Sequence, residues 1–234
     1  MNKSSLLSDV VFSLGPLDIT NTVVTTWGIM LLLGFVSWLI TRNLSLKPGK
    51  LQILLEGVVI AIESSITGIA PQQAKQLLPF IGSLWVFLVV ANLVGLVPTL
   101  HSPTRDLSAT AALAILVFFS VHWYGIRNQG IKDYLKHYMS PSPILLPFHL
   151  VSEITRTVAL AVRLFGNMMS LEMAALLILM VAGFLAPIPI LMLHIVEALV
   201  QAYIFGMLAL VYVAGGIQSL ELRQKQNQEG VNHD

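Results

Sequence analysis

The sequence predicts an all-α integral membrane protein, and its composition and apolar runs support that fold class. Hydrophobic residues make up 56% of the 234 residues and charged residues only 11%, whereas a soluble domain usually carries about 25% charged residues. Several uncharged stretches reach the roughly 20 residues that a helix needs to cross a bilayer. We therefore expect one polytopic membrane domain over residues 1–234, with little chain left for a soluble domain.

Uncharged runs and turn residues place the predicted spans. We predict spans at residues 20–40, 77–97 and 107–126, a long helical hairpin over 144–220, and a polar tail over 221–234. The hairpin is predicted because Pro187 and Pro189 interrupt an otherwise continuous apolar region, and proline breaks a helix interior. Together these elements give five spans.

Residues 50–70 differ from the spans in having one polar side. Gln52, Glu56, Glu63 and Thr67 fall within about 60° of one another on a helix, and apolar residues cover the remainder. This pattern predicts an amphipathic helix that lies at the membrane interface or packs along the bundle. Its polar stripe is expected to face solvent or lipid headgroups.

Basic residues are concentrated on one side of the predicted topology. They follow the first span (Arg42, Lys47, Lys50), the third span (Arg127, Lys132, Lys136) and the last helix (Arg223, Lys225), while the opposite side carries Lys3 and Arg105. Because cytoplasmic loops are enriched in Lys and Arg, we expect the N-terminus outside and the C-terminus in the cytoplasm.

Several classes of function are disfavoured by the composition. The 13 Lys and Arg residues are scattered and the formal net charge is +1, so no nucleic-acid-binding patch is expected. The absence of cysteine excludes thiol catalysis and Cys-ligated metals. No phosphate-binding loop and no zinc-protease motif occur, so we expect no catalytic chemistry, cofactor or metal in this chain, and an intramembrane hydrolase is disfavoured.

Arg163 is the most informative residue, because apolar residues flank it in the sequence Ala159-Leu-Ala-Val-Arg163. An arginine at the centre of a membrane helix costs about 2.5–3.5 kcal/mol on the lenient insertion scale, and intramembrane charges usually serve a function. Arg156, Arg163, Asn167 and Ser170 follow one another at spacings of 7, 4 and 3 residues. These spacings predict one polar face on the first hairpin helix.

A second polar row is predicted on the last helix, where His194, Glu197 and Gln201 are spaced by 3 and 4 residues. In an antiparallel hairpin, Glu172 is expected near His194 and Glu197 at the outer end. Arg163 and Gln201 are expected to meet deeper in the membrane. The two rows together predict a polar path that leads from outside to a buried cation.

Structural interpretations of the same residues stay open at this point. A buried Arg and Glu can simply hold a bundle together, and His194 can be an ordinary interhelical hydrogen-bonding group. Glu153 and Arg156 can anchor the cytoplasmic end or give ions access to it. Asp106 is expected to be the N-cap of the third span rather than a transport residue. A secondary transporter is a further alternative, although no internal repeat supports it.

The sequence resembles subunit a of F-type ATP synthases over roughly residues 20–220. The resemblance rests on Arg163-Leu-Phe-Gly-Asn167, on Glu172, on a histidine at 194 and a glutamine at 201, and on the loop Pro103-Thr104-Arg105-Asp106. It implies a membrane stator subunit that contacts a rotating ring of c subunits, with b-type stator subunits and the rest of the complex as partners. Glu197 departs from the family pattern.

The resemblance also implies roles for individual residues. Arg163 would oppose the ring carboxylates with Gln201 beside it, and Asn167, Glu172 and His194 would line the outer half-channel. Glu153 and Arg156 fall in the cytoplasmic approach. The expected location is the bacterial inner membrane, and the expected ion is the proton, because imidazole exchanges protons near neutral pH. Sodium is the alternative, because Glu172 and Glu197 could also concentrate cations.

Overall fold

The computed structural model describes residues 10–14, 17–42, 49–97, 102–130, 146–182 and 188–231. Its helices are α1 (Asn21–Arg42), α2 (Lys50–Ile69), α3 (Ala74–Val94), α4 (Leu107–Gln129), α5 (Leu146–Ala182) and α6 (Ile188–Val231). All 6 are long and apolar enough to cross a membrane by length and composition. The predicted all-α membrane fold is confirmed, and whether α2 lies at the interface stays a prediction.

A short β-hairpin precedes α1 and was not predicted. Its strands are β1 (Val10–Leu14) and β2 (Leu17–Thr20), which pair antiparallel with Phe12 opposite Ile19. The segment is rich in β-branched and aromatic residues, which favour strands. The hairpin is a local structure outside the uncharged runs on which the prediction of spans relied.

Several helix boundaries differ from those predicted, including the end of α3 at Val94 rather than 97 and the end of α4 at Gln129 rather than 126. Helix α3 begins at Ala74 rather than at residue 77, and α6 continues to Val231, so most of the predicted tail over 221–234 is helical. Helix α6 extends beyond its apolar part because an α-helix satisfies its own backbone hydrogen bonds in water as well as in lipid. Pro187 lies outside the described residues, and Pro189 occupies the first turn of α6, where no intrahelical N–H bond is lost.

A turn before α4 contains the 3₁₀ helix Pro103–Arg105. Asp106 then caps α4, because its Oδ1 accepts a hydrogen bond from the Ser108 backbone N–H at 3.0 Å. The predicted N-cap is confirmed. The second carboxylate oxygen, Oδ2, accepts a hydrogen bond from Thr22 Oγ1 at 2.9 Å, so the same side chain also ties α4 to the start of α1.

The core forms where α3, α4 and α5 pack around α6. The Trp85 ring of α3 stacks on the Tyr203 ring of α6, with ring centroids 5.8 Å apart. Gly206 lies directly under this indole, since a Cβ at that position would be 1.9 Å from Trp85 Nε1. Buried Ala198 and Ala202 precede Gly206 at intervals of four residues. Small residues at such spacing allow two membrane helices to approach closely.

Helix α2 packs along α3 through its apolar side. Ile66 is fully buried, and Ile62 Cγ2 is 3.7 Å from the position that a Cβ of Gly82 would occupy. The polar stripe lies on the other side of α2, where Glu56, Glu63 and Thr67 are exposed. Much of the apolar surface of α2 is exposed as well, including Ile53 at 56% and Ile60 at 63%, so α2 packs on α3 through only a part of its apolar side.

Candidate functional site

Arg163 lies near the middle of α5 and its side chain is exposed. Leu160 and Leu164, about 60° and 100° from Arg163 around α5, are buried in the core, while Val162, about 100° away in the other direction, is exposed. Among the residues that the structure describes, none forms a hydrogen bond or ion pair with the Arg163 side chain. A permanent charge with five N–H donors is thus presented on an apolar surface.

Two side-chain contacts fix the register of α5 against α6. Asn167 Nδ2 donates a hydrogen bond to Gln201 Oε1 at 2.6 Å, and the Arg156 guanidinium lies 5.5 Å from the centroid of the Tyr212 ring. The residue numbers in each pair add to 368, which is the signature of an antiparallel pair in constant register. The predicted antiparallel arrangement of the two helices is thereby supported over the stretch of α5 from Arg156 to Asn167.

The partner of Gln201 differs from the one expected. Gln201 was expected to meet Arg163, but its hydrogen bond is to Asn167, one helical turn toward the outer end of α5. In this register Arg163 is level with Phe205. Arg163 lies about 6 Å along the axis of α5 from Asn167, which bonds Gln201. Gln201 is therefore a neighbour of Arg163 at one turn's distance.

The outer end of α5 carries an ion pair with the turn before α4. Arg105 Nη1 lies 2.5 Å from Glu172 Oε1, and both side chains are partly exposed. Glu172 was predicted to face the outer path, whereas Arg105 had been noted only as a basic residue in a loop. If the register of α5 and α6 continues, Glu172 is at about the depth of Glu197, and the meeting of these two helix ends stays a prediction.

The polar row on α6 contains buried atoms with unused hydrogen-bonding capacity. His194 and Gln201 are only 6% and 1% exposed. The Nε2 atoms of both residues lack a hydrogen-bond partner among the described residues. Glu197 is half-buried between them on the same face. Because buried polar atoms are normally hydrogen-bonded to protein or to ordered water, this row is suited to holding water or a transported ion.

A buried hydrogen-bond network supports this row from α3. Asn92 Nδ2 donates to the Ala198 carbonyl at 3.2 Å, and Asn92 Oδ1 accepts from Thr104 Oγ1 at 2.9 Å. Ser102 Oγ donates to the Ala91 carbonyl at 2.8 Å. The network fixes α6 between His194 and Gln201, because the carbonyl of Ala198 lies between these positions.

The opposite end of α5 carries a second charged contact. Glu153 Oε2 lies 3.3 Å from His122 Nε2 of α4, and His122 Nδ1 is 2.9 Å from the Phe118 carbonyl oxygen. Arg156 is exposed, one turn farther along α5. Glu153 and Arg156 are thus close to each other and face two different neighbours, α4 and α6.

The sequence analysis did not single out three residues that contact this site: Asn92, Arg105 and His122. Each lies on an element far away in sequence from its partner, so helical periodicity gives no sign of the contact. The positions of Asn92 and His122 inside apolar spans are a signal that could have identified them, since polar residues there usually have a partner or a function.

Comparisons with known proteins identify a family. The family model described as ATP synthase A chain matches residues 23–214. An ATP synthase subunit a 2 of Pelobacter propionicus is 63% identical over 222 residues, covering 95% of this chain and 97% of the relative. An ATP synthase subunit a 1 of Hahella chejuensis is 69% identical over 205 residues, covering 88% and 87%. An ATP synthase subunit a of Legionella pneumophila is 54% identical over 226 residues, covering 96% and 98%. The chain, a multi-pass membrane protein, therefore belongs to the ATP synthase A chain family.

Proposed function

We propose that this chain is subunit a of an F-type ATP synthase in the bacterial inner membrane and that it forms two ion half-channels against a rotating ring of c subunits. The observation that carries the proposal is the exposed Arg163 side chain on an apolar surface, without an acidic partner among the described residues. A guanidinium in a bilayer needs an anionic partner. A carboxylate on the ring supplies one.

In this proposal, the electrostatic interaction between Arg163 and the ring carboxylates makes the ring rotate. A ring carboxylate that faces lipid is stable only in the neutral, ion-loaded form, because a lone charge in hydrocarbon is too costly. Close to Arg163 the ionised form is stabilised instead, so the carboxylate releases its ion there. Arg163 also repels any cation that would pass directly between the half-channels. A membrane potential contributes about 2.3 kcal/mol per charge per 100 mV to each step.

The polar rows supply the two access paths in this proposal. Asn167, Glu172, His194, Glu197 and Gln201 form the outer half-channel, and Glu153 and Arg156 form the cytoplasmic approach. We take the proton to be the transported ion, with sodium as the alternative. ATP is made or hydrolysed in partner subunits, since the chain has no phosphate-binding loop, and b-type subunits hold it against the ring.

The proposal is tested by Arg163→Ala in the complete complex in inverted membrane vesicles. We expect ATP-driven ion pumping and ATP synthesis to fall at least 100-fold, while the c ring still co-purifies with the subunit. Leu177→Ala is the matched control, because Leu177 is 63% exposed on the same helix and should keep pumping normal. Normal pumping by an assembled Arg163→Ala complex contradicts the proposal.

A further inference from the structure

We propose that His122 and Glu153 form a proton-exchange pair that connects the cytoplasm to the inner half-channel. The inference rests on the proposed function, since it names groups through which protons reach or leave the cytoplasmic side of Arg163. The two side chains come from α4 and α5, with His122 Nε2 lying 3.3 Å from Glu153 Oε2.

The hydrogen bond on the far side of the imidazole fixes its tautomer. His122 Nδ1 is 2.9 Å from the Phe118 carbonyl oxygen, and a carbonyl can only accept, so Nδ1 carries a proton. Nε2 therefore offers a lone pair to Glu153 unless it is itself protonated. An unprotonated Nε2 and an ionised carboxylate are both acceptors, so this contact is favourable only when one proton lies between them.

Proton transfer within the pair is chemically simple. When the Glu153 carboxylic acid gives its proton to Nε2, one O–H bond breaks, one N–H bond forms, and an imidazolium-carboxylate ion pair results. No other reactant is needed. The two side chains are 27% and 22% exposed, while the contacting Glu153 Oε2 atom is itself buried, so the pair is partly open to water around an enclosed contact.

The position of the pair distinguishes it from the ion pair at the outer end. The α4–α5 contacts bracket Arg163, with Glu153 about 15 Å along α5 to one side and Glu172 about 13 Å to the other. At the outer end Glu172 faces Arg105, and an arginine does not give up its proton in proteins. At the inner end Glu153 faces an imidazole, which exchanges protons near neutral pH. In the inner pair both partners can gain and lose a proton, whereas in the outer pair only the Glu172 carboxylate can.

Positive charges on the same two helices disfavour a second proton on the pair. Arg156 follows Glu153 by one turn on α5, and its guanidinium lies over the Tyr212 ring of α6 at 5.5 Å. Tyr124 and Arg127 follow His122 on α4. The fixed positive charges oppose a second proton on the pair.

If the pair only held α4 against α5, any two hydrogen-bonding side chains would be sufficient. If it exchanges protons, the side chains must also be able to gain and lose a proton, and the test separates these two roles. In the complete complex, the double variant His122→Gln, Glu153→Gln keeps hydrogen-bonding groups at both positions but can carry no proton. The exchanged variant His122→Glu, Glu153→His keeps both proton-carrying groups. We expect ATP-driven proton pumping to fall at least 10-fold in the amide variant and to recover to at least half of normal in the exchanged variant.

Trp123→Phe serves as the control, because Trp123 is next to His122 but 66% exposed, and it should pump normally. Normal proton pumping by the amide variant overturns the inference. The inference is also overturned if the exchanged variant assembles into the complex but does not pump. If the amide variant fails to assemble, Glu153→Asp is compared with Glu153→Asn, which has the same length but no exchangeable acid. If Glu153 exchanges protons, the Glu153→Asp variant should pump at least fivefold faster than the Glu153→Asn variant.

Arg163→Ala in the same vesicles separates the two proposals. An active Arg163→Ala complex contradicts the proposed function itself. An inactive Arg163→Ala complex together with an active amide variant contradicts only the role of His122 and Glu153. A complex that pumps sodium and no protons also overturns the inference, because imidazole is a poor ligand for a hard cation.

Discussion

At the residue scale, Arg163 combines three properties that a ring-facing charge requires. It is exposed, Val162 beside it is exposed as well, and Leu160 and Leu164 on the adjoining side of its helix are buried. The buried leucines fix the rotation of α5, so the exposed guanidinium lies at the border between the packed and the exposed side of the helix. Its planar, delocalised charge is also less strongly hydrated than an ammonium group.

These properties predict that Arg163→Lys does not restore function. A lysine ammonium is a compact point charge that cannot bind a carboxylate through two parallel N–H bonds. We expect ATP-driven pumping in vesicles to fall at least 10-fold, with unchanged recovery of the assembled complex. Pumping within a factor of 2 of normal would show that charge alone is sufficient at this position.

Sequence spacing predicted which residues share a face, but not which residues touch across helices. The rows on α5 and α6 follow from helical spacing. The cap at Asp106 follows from the residue type that precedes the span, and the structure contains it. Arg105 and Glu172 are 67 residues apart, and their pairing depends on how the turn after α3 folds against α5. Likewise, Gln201 bonds Asn167 rather than lying directly beside Arg163, since a shift of one turn along an antiparallel pair leaves every periodicity unchanged.

At the element scale, the close approach of α3 and α6 depends on the absence of a side chain at Gly206. A Cβ there would lie within 2.5 Å of three indole atoms of Trp85. The stacked Tyr203 ring and the Trp85 Nε1 hydrogen bond to the Tyr203 carbonyl at 3.3 Å hold the indole in place. The indole therefore has little freedom to move aside.

Gly206→Ala is accordingly expected to destabilise the α3–α6 contact, since overpacking of a close-packed core costs about 1–3 kcal/mol. Thermal denaturation of the purified complex should show loss of the subunit several degrees earlier than normal. Gly215→Ala is the matched control on the same helix, because a Cβ there meets nothing within 4 Å. Equal denaturation temperatures for the two variants would contradict the packing argument.

The outer ends of α5 and α6 also make a prediction about access to water. Single cysteines at Asn167, Glu172, His194 and Glu197 should react with a small water-soluble thiol reagent added from outside, with the buried position 194 reacting most slowly. A cysteine at Leu177 should stay unmodified because it faces lipid. Equal reactivity at all positions, or reaction only at 177, would rule out an aqueous outer path.

At the scale of the whole molecule, much of the apolar surface of the chain is exposed. Large side chains on α1, α2, α5 and α6 are uncovered, including Leu31 at 75% and Met192 at 66% exposed. Exposed apolar area of this extent is stable in lipid or against another membrane protein. The surface fits a subunit that contacts both lipid and a ring, whereas the choice of ion depends mainly on the ring site.

The ion can be identified on the purified complex by measuring ATP hydrolysis at alkaline pH while sodium is varied from micromolar to tens of millimolar. For proton coupling we expect flat activity and constant sensitivity to a carboxylate-modifying carbodiimide, because sodium then does not occupy the ring carboxylate. Strong activation by sodium, together with protection from the reagent, would establish sodium coupling.

The turn over residues 102–106 has a mechanical consequence for a stator. Its side chains are bonded to α1 through Thr22, to α3 through Asn92 and to α5 through Glu172, and Asn92 continues the connection to α6. A rotor pressing on α5 from the side would load one helix first. Because the turn joins that helix to the others at a single level, the load is shared across the subunit, and the outer end of α5 resists bending while the ring turns past it.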